Sequence, residues 1–267
     1  MPELPEVETI RRELAPRLVG RCVVEADSHP SEKFLPAREA AGSSLGGVDR
    51  RGKYLIVALG GGDRELVLHL GMTGRLQFTA VAAPSDGYVR AWWALDDGAV
   101  LEFHDVRRFG RLRVVAAGRY EATPTLAQLG PEPLTDDFTP GGLWSALRRS
   151  RRRVKTQLLS QRPVAGLGNI YADEALWRAG INPAKRAITK AEAAALHAAI
   201  GEVLRQAVEH RGTTFRDYRT LLGPGGDNFA HLDCYGRRGE GCRRCGDELR
   251  SRLLDARTTT YCPACQR

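Results

Sequence analysis

The sequence of 267 residues contains no run of about 18 or more apolar residues, the length that a membrane-spanning helix needs. It also lacks the basic stretch followed by an apolar stretch that marks a secretory signal peptide. No internal repeat and no low-complexity segment is visible. We therefore expect a cytoplasmic globular protein without a membrane partner, whose cysteine thiols stay reduced unless they bind a metal.

Acidic residues are scarcer than basic ones: the chain has 32 Asp and Glu and 40 Lys and Arg. Its formal net charge is therefore +8. An excess of basic charge favours a polyanionic partner, most often nucleic acid. The segment from Arg148 to Lys155, RRSRRRVK, contains no acid. It is either a phosphate-binding surface or a solvated helix face.

The first 117 residues have the pattern of one helix followed by short strands. Apolar residues at positions 7, 10, 14 and 18 share one face and predict a helix over 5–18. Strands are predicted at 23–26, 54–59, 65–70, 91–95, 100–103 and 112–115, and Asp96-Asp97-Gly98 is a hairpin turn. Short strands at this spacing indicate a sandwich or barrel rather than a parallel sheet.

Four prolines between positions 118 and 141 predict a linker there. Beyond it the apolar pattern predicts helices at 142–149, 153–161, 170–179 and 189–210, the last being the longest. The predicted domains are accordingly a β-rich domain at 1–117, the linker at 118–141, a helical domain at 142–230 and a cysteine-rich tail at 231–267.

The tail contains two C-x2-C pairs separated by sixteen residues, which is the strongest local motif of the chain. Two such pairs predict one structural zinc ion held by four thiolates, with no position left for water. The alternative is a pair of disulfides. The four ligands are Cys242, Cys245, Cys262 and Cys265. The remaining cysteines, Cys22 and Cys234, have no partner at ligand spacing and are expected to pack as small buried hydrophobes.

The N-terminus, Met1-Pro2-Glu3-Leu4-Pro5-Glu6, permits two interpretations. Once Met1 is removed, Pro2 is a secondary amine with a pKa of about 8, able to form a Schiff base with a carbonyl carbon. Glu3 would then move protons and Glu6 would hold the terminus in place. The alternative is an ordinary helix start, with proline and acidic residues in the first turn.

Several segments together resemble one family, the bacterial formamidopyrimidine-DNA glycosylases. In chain order they are PELPEVETIRREL, RRGKYL, HLGMTGRL, DVRRFGRL, LGPEPL, GLGNIYADEAL, CYGRRG and the four-cysteine finger. The resemblance implies an α+β multidomain fold: an N-terminal helix plus β-sandwich, a helical domain with a helix–two-turn–helix motif, and a C-terminal zinc finger. It implies base excision repair, with removal of 8-oxoguanine and formamidopyrimidines from duplex DNA and β,δ-elimination at the abasic site.

The resemblance also implies roles for catalytic residues. Pro2 would attack C1′ of the sugar, Glu3 would donate a proton, Lys53 would contact phosphate and assist β-elimination, and Arg257 would assist the second elimination. Without the resemblance, Lys53 would be interpreted as a strand-edge lysine and Arg257 as a surface charge.

A second set of residues is implied to contact DNA. Met72, Arg107 and Phe109 would fill the hole left by an extruded base, although Met and Phe more often pack inside a protein. Contacts to the sugar-phosphate backbone are implied for the loop 166–169. The candidates for those contacts are Asn169, Lys155, His69, Arg90 and Tyr235. Arg151–Arg153 would extend the basic surface, and Glu174 would either order its helix or contact DNA.

Tyr88, Arg216 and Cys234 depart from the usual family pattern, and the loop within 213–232 leaves the lesion spectrum open. An endonuclease VIII-like enzyme acting on oxidised pyrimidines is one alternative. A DNA-binding protein without catalysis is the other. The family resemblance implies a monomer that binds double-stranded DNA and associates with the bacterial nucleoid during repair.

Overall fold

The computed structural model describes residues 1–80, 86–214, 218–223 and 225–267, so Arg216 lies outside the described residues. The chain divides into two units, of which the first contains 1–127 and 211–227 and the second contains 128–210 and 228–267. The predicted boundaries place 211–227 in the helical domain instead. The segment joins the first unit because Glu6 and Glu13 accept backbone hydrogen bonds from Thr213 and Leu221.

The first unit begins with helix α1, Leu4–Leu18, which confirms the predicted helix. The four apolar side chains of its predicted face are all buried. Pro5 stands in the first turn, where its missing N–H costs no hydrogen bond. The helix therefore starts directly after Pro2 and Glu3 and packs its apolar face into the core.

Eight antiparallel strands follow α1 and form two four-stranded sheets, in the orders β1-β6-β7-β5 and β2-β3-β4-β8. Their bounds are β1 Val23–Ser28, β2 Leu45–Arg51, β3 Tyr54–Leu59, β4 Arg64–His69, β5 Gly74–Thr79, β6 Val89–Leu95, β7 Val100–Asp105 and β8 Arg111–Ala116. Side chains from both sheets and from α1 share one core, which confirms the predicted sandwich.

Six strands and the hairpin turn at 96–98 are confirmed, but the sequence analysis missed β2 and β5. In β2 the register shifts between Leu45 and Val48, across Gly46 and Gly47. This irregularity breaks the alternation of apolar and polar residues on which strand prediction depends. Cys22 was expected to be buried, but it is exposed; its backbone forms an isolated bridge with Ser44 outside the named strands.

A short helix, α2 Pro124–Ala127, interrupts the predicted linker. The second unit contains the four predicted helices, α3 Pro140–Arg148, α4 Val154–Leu159, α5 Asn169–Arg178 and α6 Lys190–Glu209. It ends in a hairpin of β9 Arg250–Leu254 and β10 Arg257–Tyr261. Among the described residues, no helix has both the length and the apolar character that a transmembrane span requires.

Candidate functional site

The N-terminal segment is held by the carboxylate of Glu6. Oε2 of Glu6 accepts a 2.7 Å hydrogen bond from the backbone N–H of Glu3, and Oε1 accepts one of 2.7 Å from Thr213 N–H. Pro2 and Glu3 are buried, whereas Met1 is exposed. The carboxylate thus fixes the backbone next to Pro2 and the start of the segment 211–227 at the same time.

Lys53 lies in a two-residue turn between β2 and β3, with Gly52 at φ 56 in the first turn position. Arg50 ties this turn to α1, because its Nε lies 3.2 Å from Glu8 Oε2 and its Nη1 donates to Gly52 O. Burial raises the pKa of Glu8, but hydrogen bonds from Arg11 and Arg12 and the charge of Arg50 outweigh it and lower the pKa to about 2. The turn that carries Lys53 is therefore attached to the helix that carries the N-terminus.

His69 lies beside this turn, at the end of β4. Its Nδ1 accepts a 3.1 Å hydrogen bond from Gly71 N–H, and its ring centroid lies 4.8 Å from that of Tyr54. Burial, followed by the charges of Lys53 and Arg111, lowers the pKa of His69 to about 4. The ring is neutral near pH 7, and with Nδ1 accepting, the proton is assigned to Nε2. A neutral N–H donor near an ammonium group suits an oxyanion.

Met72, Arg107 and Phe109 form an exposed cluster on the loops that follow β4 and β7. Met72 and Phe109 are 42% and 44% exposed, which rules out a core position for either residue. The Arg107 Cζ lies 4.6 Å from the centroid of the Phe109 ring, and its Nη1 lies 3.9 Å from Met72 Sδ. An apolar side chain, an aromatic ring and a guanidinium are thus presented together to the exterior.

The buried carboxylate of Asp105 joins the two loops of this cluster. Oδ1 accepts a 2.6 Å hydrogen bond from the Thr73 hydroxyl, and Oδ2 accepts one of 2.6 Å from Gly110 N–H. Gly71, at φ 66, has no room for a side chain, since a Cβ there would lie 2.5 Å from Phe109 C. The close approach of the two loops therefore depends on Asp105 and on this glycine.

Arg90 is buried below the same loops. Its Nε donates a 2.8 Å hydrogen bond to the backbone oxygen of Asp105, and its Nη1 donates to Gly87 O. In this structure the guanidinium supports the end of β7, and the DNA contact that the sequence suggests for Arg90 stays a prediction.

In the second unit, the loop 161–168 leads into α5. Gln161, at φ 65, accepts a 2.8 Å hydrogen bond from Gly166 N–H and donates to Leu167 O. Asn169 begins α5, and its Nδ2 donates a 3.0 Å hydrogen bond to Thr258 O of β10. The loop thus presents the N-terminus of a ten-residue helix, a position whose helix dipole favours an anion.

Lys155 was predicted to contact DNA, but its side chain is only 1% exposed. Its ammonium lies 2.7 Å from Asp173 Oδ1 and donates to Thr259 Oγ1 and Thr258 O. Burial raises the pKa of Asp173 above its ordinary value, although Lys155 acts to lower it. Asp173 Oδ2 also accepts from Thr260 N–H at 2.9 Å. Lys155 therefore joins α4, α5 and β10 in this structure.

Glu174, the next residue of α5, holds the segment that carries Tyr235. Its buried carboxylate accepts hydrogen bonds from the backbone N–H groups of Asp233, Cys234 and Tyr235, at 2.9, 2.8 and 2.6 Å. Burial raises the pKa of Glu174 and these three donors act to lower it. Cys234 is buried as expected. The backbone at Tyr235 is thus fixed by a side chain of the helix that begins at Asn169.

The four predicted ligand cysteines come together at the end of the second unit. Their Sγ atoms all lie within 4.8 Å of one another. A tetrahedral ion with metal–sulfur bonds of about 2.3 Å needs its sulfurs about 3.8 Å apart, so the four thiols fit a metal centre of this kind. The indole Nε1 of Trp177 donates to Cys242 Sγ at 3.4 Å and supports the cluster from α5.

Arg257 begins β10 directly after a two-residue turn formed by Asp255 and Ala256. It is exposed and lines an open cleft of about 320 Å³ together with Arg152, Thr156 and Ser160. Arg153, predicted to extend the basic surface, pairs with Asp255 at 2.6 Å. The sequence analysis missed Asp105, Asp173 and Asp255. The one sequence feature that could have drawn attention to these three aspartates is their position beside glycine-rich or basic motifs.

Comparisons with known proteins agree over the whole chain. The formamidopyrimidine-DNA glycosylase N-terminal domain matches residues 1–112, and the formamidopyrimidine-DNA glycosylase H2TH domain matches residues 129–219. A curated relative, formamidopyrimidine-DNA glycosylase of Herpetosiphon aurantiacus, is 44% identical over 277 residues and covers 100% of both chains. The corresponding protein of Deinococcus radiodurans is 42% identical and covers 100% of this chain and 97% of its own.

Solved structures also match this chain over nearly its whole length. The MutM (Fpg) protein from Thermus thermophilus gives a TM-score of 0.91 at 44% identity and covers 99% of this chain and 98% of its own. A Lactococcus lactis Fpg mutant in complex with DNA containing Fapy-dG gives a TM-score of 0.91 at 36% identity, with 100% of both chains covered.

Proposed function

Because this chain belongs to the formamidopyrimidine-DNA glycosylase family, we propose how its residues carry out the base excision repair of oxidised purines. It is a DNA glycosylase with abasic-site lyase activity. The observation that carries the residue assignment is the exposed cluster of Met72, Arg107 and Phe109. Apolar side chains held outside the core by a buried carboxylate indicate a binding surface rather than a folding core.

The cluster would replace an extruded base in the duplex. Met72 would enter the stack as an apolar wedge, the ring of Phe109 would restore stacking, and Arg107 would hydrogen-bond the orphaned partner base. Extrusion costs a few kcal/mol, which these contacts offset. The cation–π contact between Arg107 and Phe109 orients the guanidinium before DNA binds.

The N-terminal amine would carry out the covalent chemistry after removal of Met1. The nitrogen of Pro2 attacks C1′, the bond from C1′ to the base breaks, and Glu3 donates a proton to the opening sugar oxygen. The resulting iminium makes the C2′ proton acidic, so the 3′ phosphate leaves by β-elimination. A second elimination releases the 5′ phosphate. Glu6 holds the backbone N–H of Glu3 during these steps and does not itself react.

Phosphate groups would be bound by donors on both units. Lys53 and the Nε2–H of His69 are the candidates on the first unit, and Lys53 would also assist β-elimination. On the second unit the candidates are the N-terminus of α5 at Asn169, the Tyr235 hydroxyl and Arg257. Because these contacts read no bases, DNA binding should weaken steeply with salt.

Two residues would have supporting roles inside the protein. The ammonium of Lys155 is paired inside the protein and would position the strand that carries Arg257. The guanidinium of Arg90 would position the loop that carries Arg107 and Phe109 through its bond to Asp105 O.

The four-cysteine centre would hold one zinc ion with a structural role. Four thiolates leave no open position for water or substrate, so the ion would stabilise the hairpin that carries Arg257 and take no part in the reaction. The two units would act as a monomer on double-stranded DNA in the bacterial cytoplasm, where the nucleoid is the substrate.

The test is borohydride trapping on a duplex that carries 8-oxoguanine opposite cytosine, followed by peptide mass mapping. The expected result is a cross-link at residue 2 and nicks with phosphates at both ends. Pro2→Gly and Glu3→Gln should each give a strongly reduced cross-link, since glycine replaces the secondary amine by a primary one. A cross-link only on thymine glycol would indicate the endonuclease VIII-like activity. Tight binding without any cross-link, with Met1 shown to be absent, would contradict a covalent mechanism.

A further inference from the structure

The turn before Arg257 has a backbone conformation that one of its two residues, Ala256, does not favour. Leu254 pairs with Arg257, so Asp255 and Ala256 form a two-residue hairpin loop, and their φ angles are 45° and 61°. Two positive φ angles are typical of a type I′ turn, which favours Asn-Gly or Asp-Gly. Asp tolerates this region, but Ala carries a Cβ that is strained there. Contacts outside the turn must therefore help to hold it.

The carboxylate of Asp255 supplies those contacts. Its Oδ1 lies 2.6 Å from Nη1 of Arg153, and its Oδ2 accepts a hydrogen bond from the hydroxyl of Thr156. The hydrogen bond from Thr156, together with the charges of Arg153 and Arg152, lowers the pKa of Asp255. The tip of the hairpin is thereby attached to the start of α4 by an ionised side chain.

The other side of Arg257 is anchored as well. Thr258 O accepts from Lys155 Nζ and from Asn169 Nδ2, and Thr260 N–H donates to Asp173. Arg257 therefore stands between two attachments, one at the turn and one along the strand. The attachment at the turn is made by Asp255, a residue that lies outside the family motifs named above.

We propose that Asp255 is a positioning residue for Arg257. By attaching the strained turn to Arg153 and Thr156, it fixes the backbone from which Arg257 reaches the phosphate that leaves in the second elimination. The inference rests on the role proposed for Arg257. It also explains why Arg153 is paired with an acid of its own chain although it belongs to the most basic segment of the sequence.

The experiment uses the full-length, metal-loaded protein under single-turnover conditions on a duplex with 8-oxoguanine opposite cytosine. Base release, the β-elimination product and the δ-elimination product are quantified separately. Asp255→Gly removes the carboxylate but keeps a residue that adopts positive φ without strain. Ala256→Gly is the matched control, because it relaxes the same turn and keeps the carboxylate.

We expect Asp255→Gly to lower the ratio of δ to β product by about three- to tenfold, because a partial displacement of Arg257 should cost less than the roughly hundredfold loss of a 1 Å misplacement. Base release and trapping at Pro2 should stay at the wild-type level. Ala256→Gly should keep the wild-type ratio, and Asp255→Asn should restore part of it, because its amide oxygen still accepts from Thr156. Amide exchange at 255–258 should rise in Asp255→Gly only.

A wild-type product ratio in Asp255→Gly, with a low ratio in Arg257→Ala, would overturn the inference and leave the function of Arg257 intact. A wild-type ratio in Arg257→Ala would overturn both the role of Arg257 and the inference, while trapping at Pro2 would still support the covalent mechanism. Loss of trapping in the wild-type protein would instead contradict the proposed function itself. The three failures are therefore distinguishable.

Discussion

Thr213 donates its backbone N–H to Oε1 of Glu6 over a distance of 2.7 Å, although 207 positions separate the two residues in the chain. The other oxygen of the same carboxylate accepts from Glu3 N–H. Gly212 lies directly against this carboxylate at φ +84, where a Cβ would be 2.7 Å from Glu6 Oε1. The side chain of Glu6 thus connects Glu3, which follows the candidate nucleophile Pro2, to the segment 211–227.

Gly212→Ala is expected to slow covalent trapping at Pro2, because the new methyl group displaces the carboxylate that holds Glu3. Gly61→Ala is the matched control, since Gly61 has φ +80 and a Cβ added there would meet nothing within 4 Å. Both variants should lose about 1 to 2 kcal/mol of stability from the positive φ. Urea unfolding and trapping rates test this, and equal trapping rates in the two variants would contradict the role of Glu6.

Asp105→Ala is expected to impair excision of the intact lesion more than cleavage of a preformed abasic site. The substitution leaves Gly110 N–H and the Thr73 hydroxyl without their acceptor and separates the loops of Met72 and Phe109. The stability loss should be about 2 to 3 kcal/mol. Parallel single-turnover assays on the two substrates measure the difference. Asp97→Ala, in the hairpin turn between β6 and β7, should leave both rates unchanged.

The stability of the protein should fall in mild acid because of His69. Its folded pKa of about 4 lies below the ordinary value of 6.5, so between these pH values the unfolded chain binds more protons than the folded one. Stability is therefore full above pH 6.5 and decreases as the pH falls toward 4, with a slope of at most about 1.4 kcal/mol per pH unit from this group. Urea unfolding of wild type and His69→Gln across this range tests it. Identical slopes would be inconsistent with a buried, neutral His69.

Glu174→Ala is expected to destabilise the second unit by about 3 kcal/mol or more, because three backbone N–H groups lose their buried acceptor. Glu174→Gln should cost less, since one oxygen remains. Glu202→Ala provides the control: its carboxylate is 56% exposed and lies 3.8 Å from Arg178, so the change should cost less than about 1 kcal/mol. Thermal unfolding distinguishes these cases, and a small effect of Glu174→Ala would show that water replaces the carboxylate.

Removal of the metal should unfold the hairpin of β9 and β10 and abolish tight DNA binding, because metal binding by the four cysteines would supply much of the folding energy of that segment. Metal analysis should give one zinc per chain, and a chelator should lower the melting temperature. Cys262→Ser should lose the metal, whereas Cys22→Ser should keep it, since Cys22 is exposed and lies outside the cluster. Full metal content in Cys262→Ser would contradict the ligand set.

Elements with a regular pattern were predictable from the sequence. The buried face of α1 repeats at helical spacing, and six of the strands alternate or form short apolar runs between turns. β2 was not predictable, because Gly46 and Gly47 interrupt its alternation where the register shifts. The alternation that predicts a strand extends over only a few neighbouring residues, so an irregularity among those residues is enough to hide the strand.

The candidate functional site likewise contains features that a local sequence pattern predicts and features that it does not. The C-x2-C pairs brought four cysteines together as predicted. The roles predicted from the motifs around Pro2, Met72 and Asn169 stay predictions, and these motifs depend on residues that are neighbours in the chain. The burial of a charged side chain leaves no local pattern in the sequence, so the motif around Lys155 did not predict that its ammonium pairs with Asp173.

The sequence by itself determined the family, the periodic helices and strands, and the ligand spacing of the metal centre, since each depends on residues close together in the chain. Only the tertiary structure decided that Glu6 meets Thr213, that Asp105 joins two loops and that Asp255 meets Thr156. These are single carboxylates that satisfy donors far away in sequence. A buried polar group must find a partner somewhere, but its own position in the chain does not say which one.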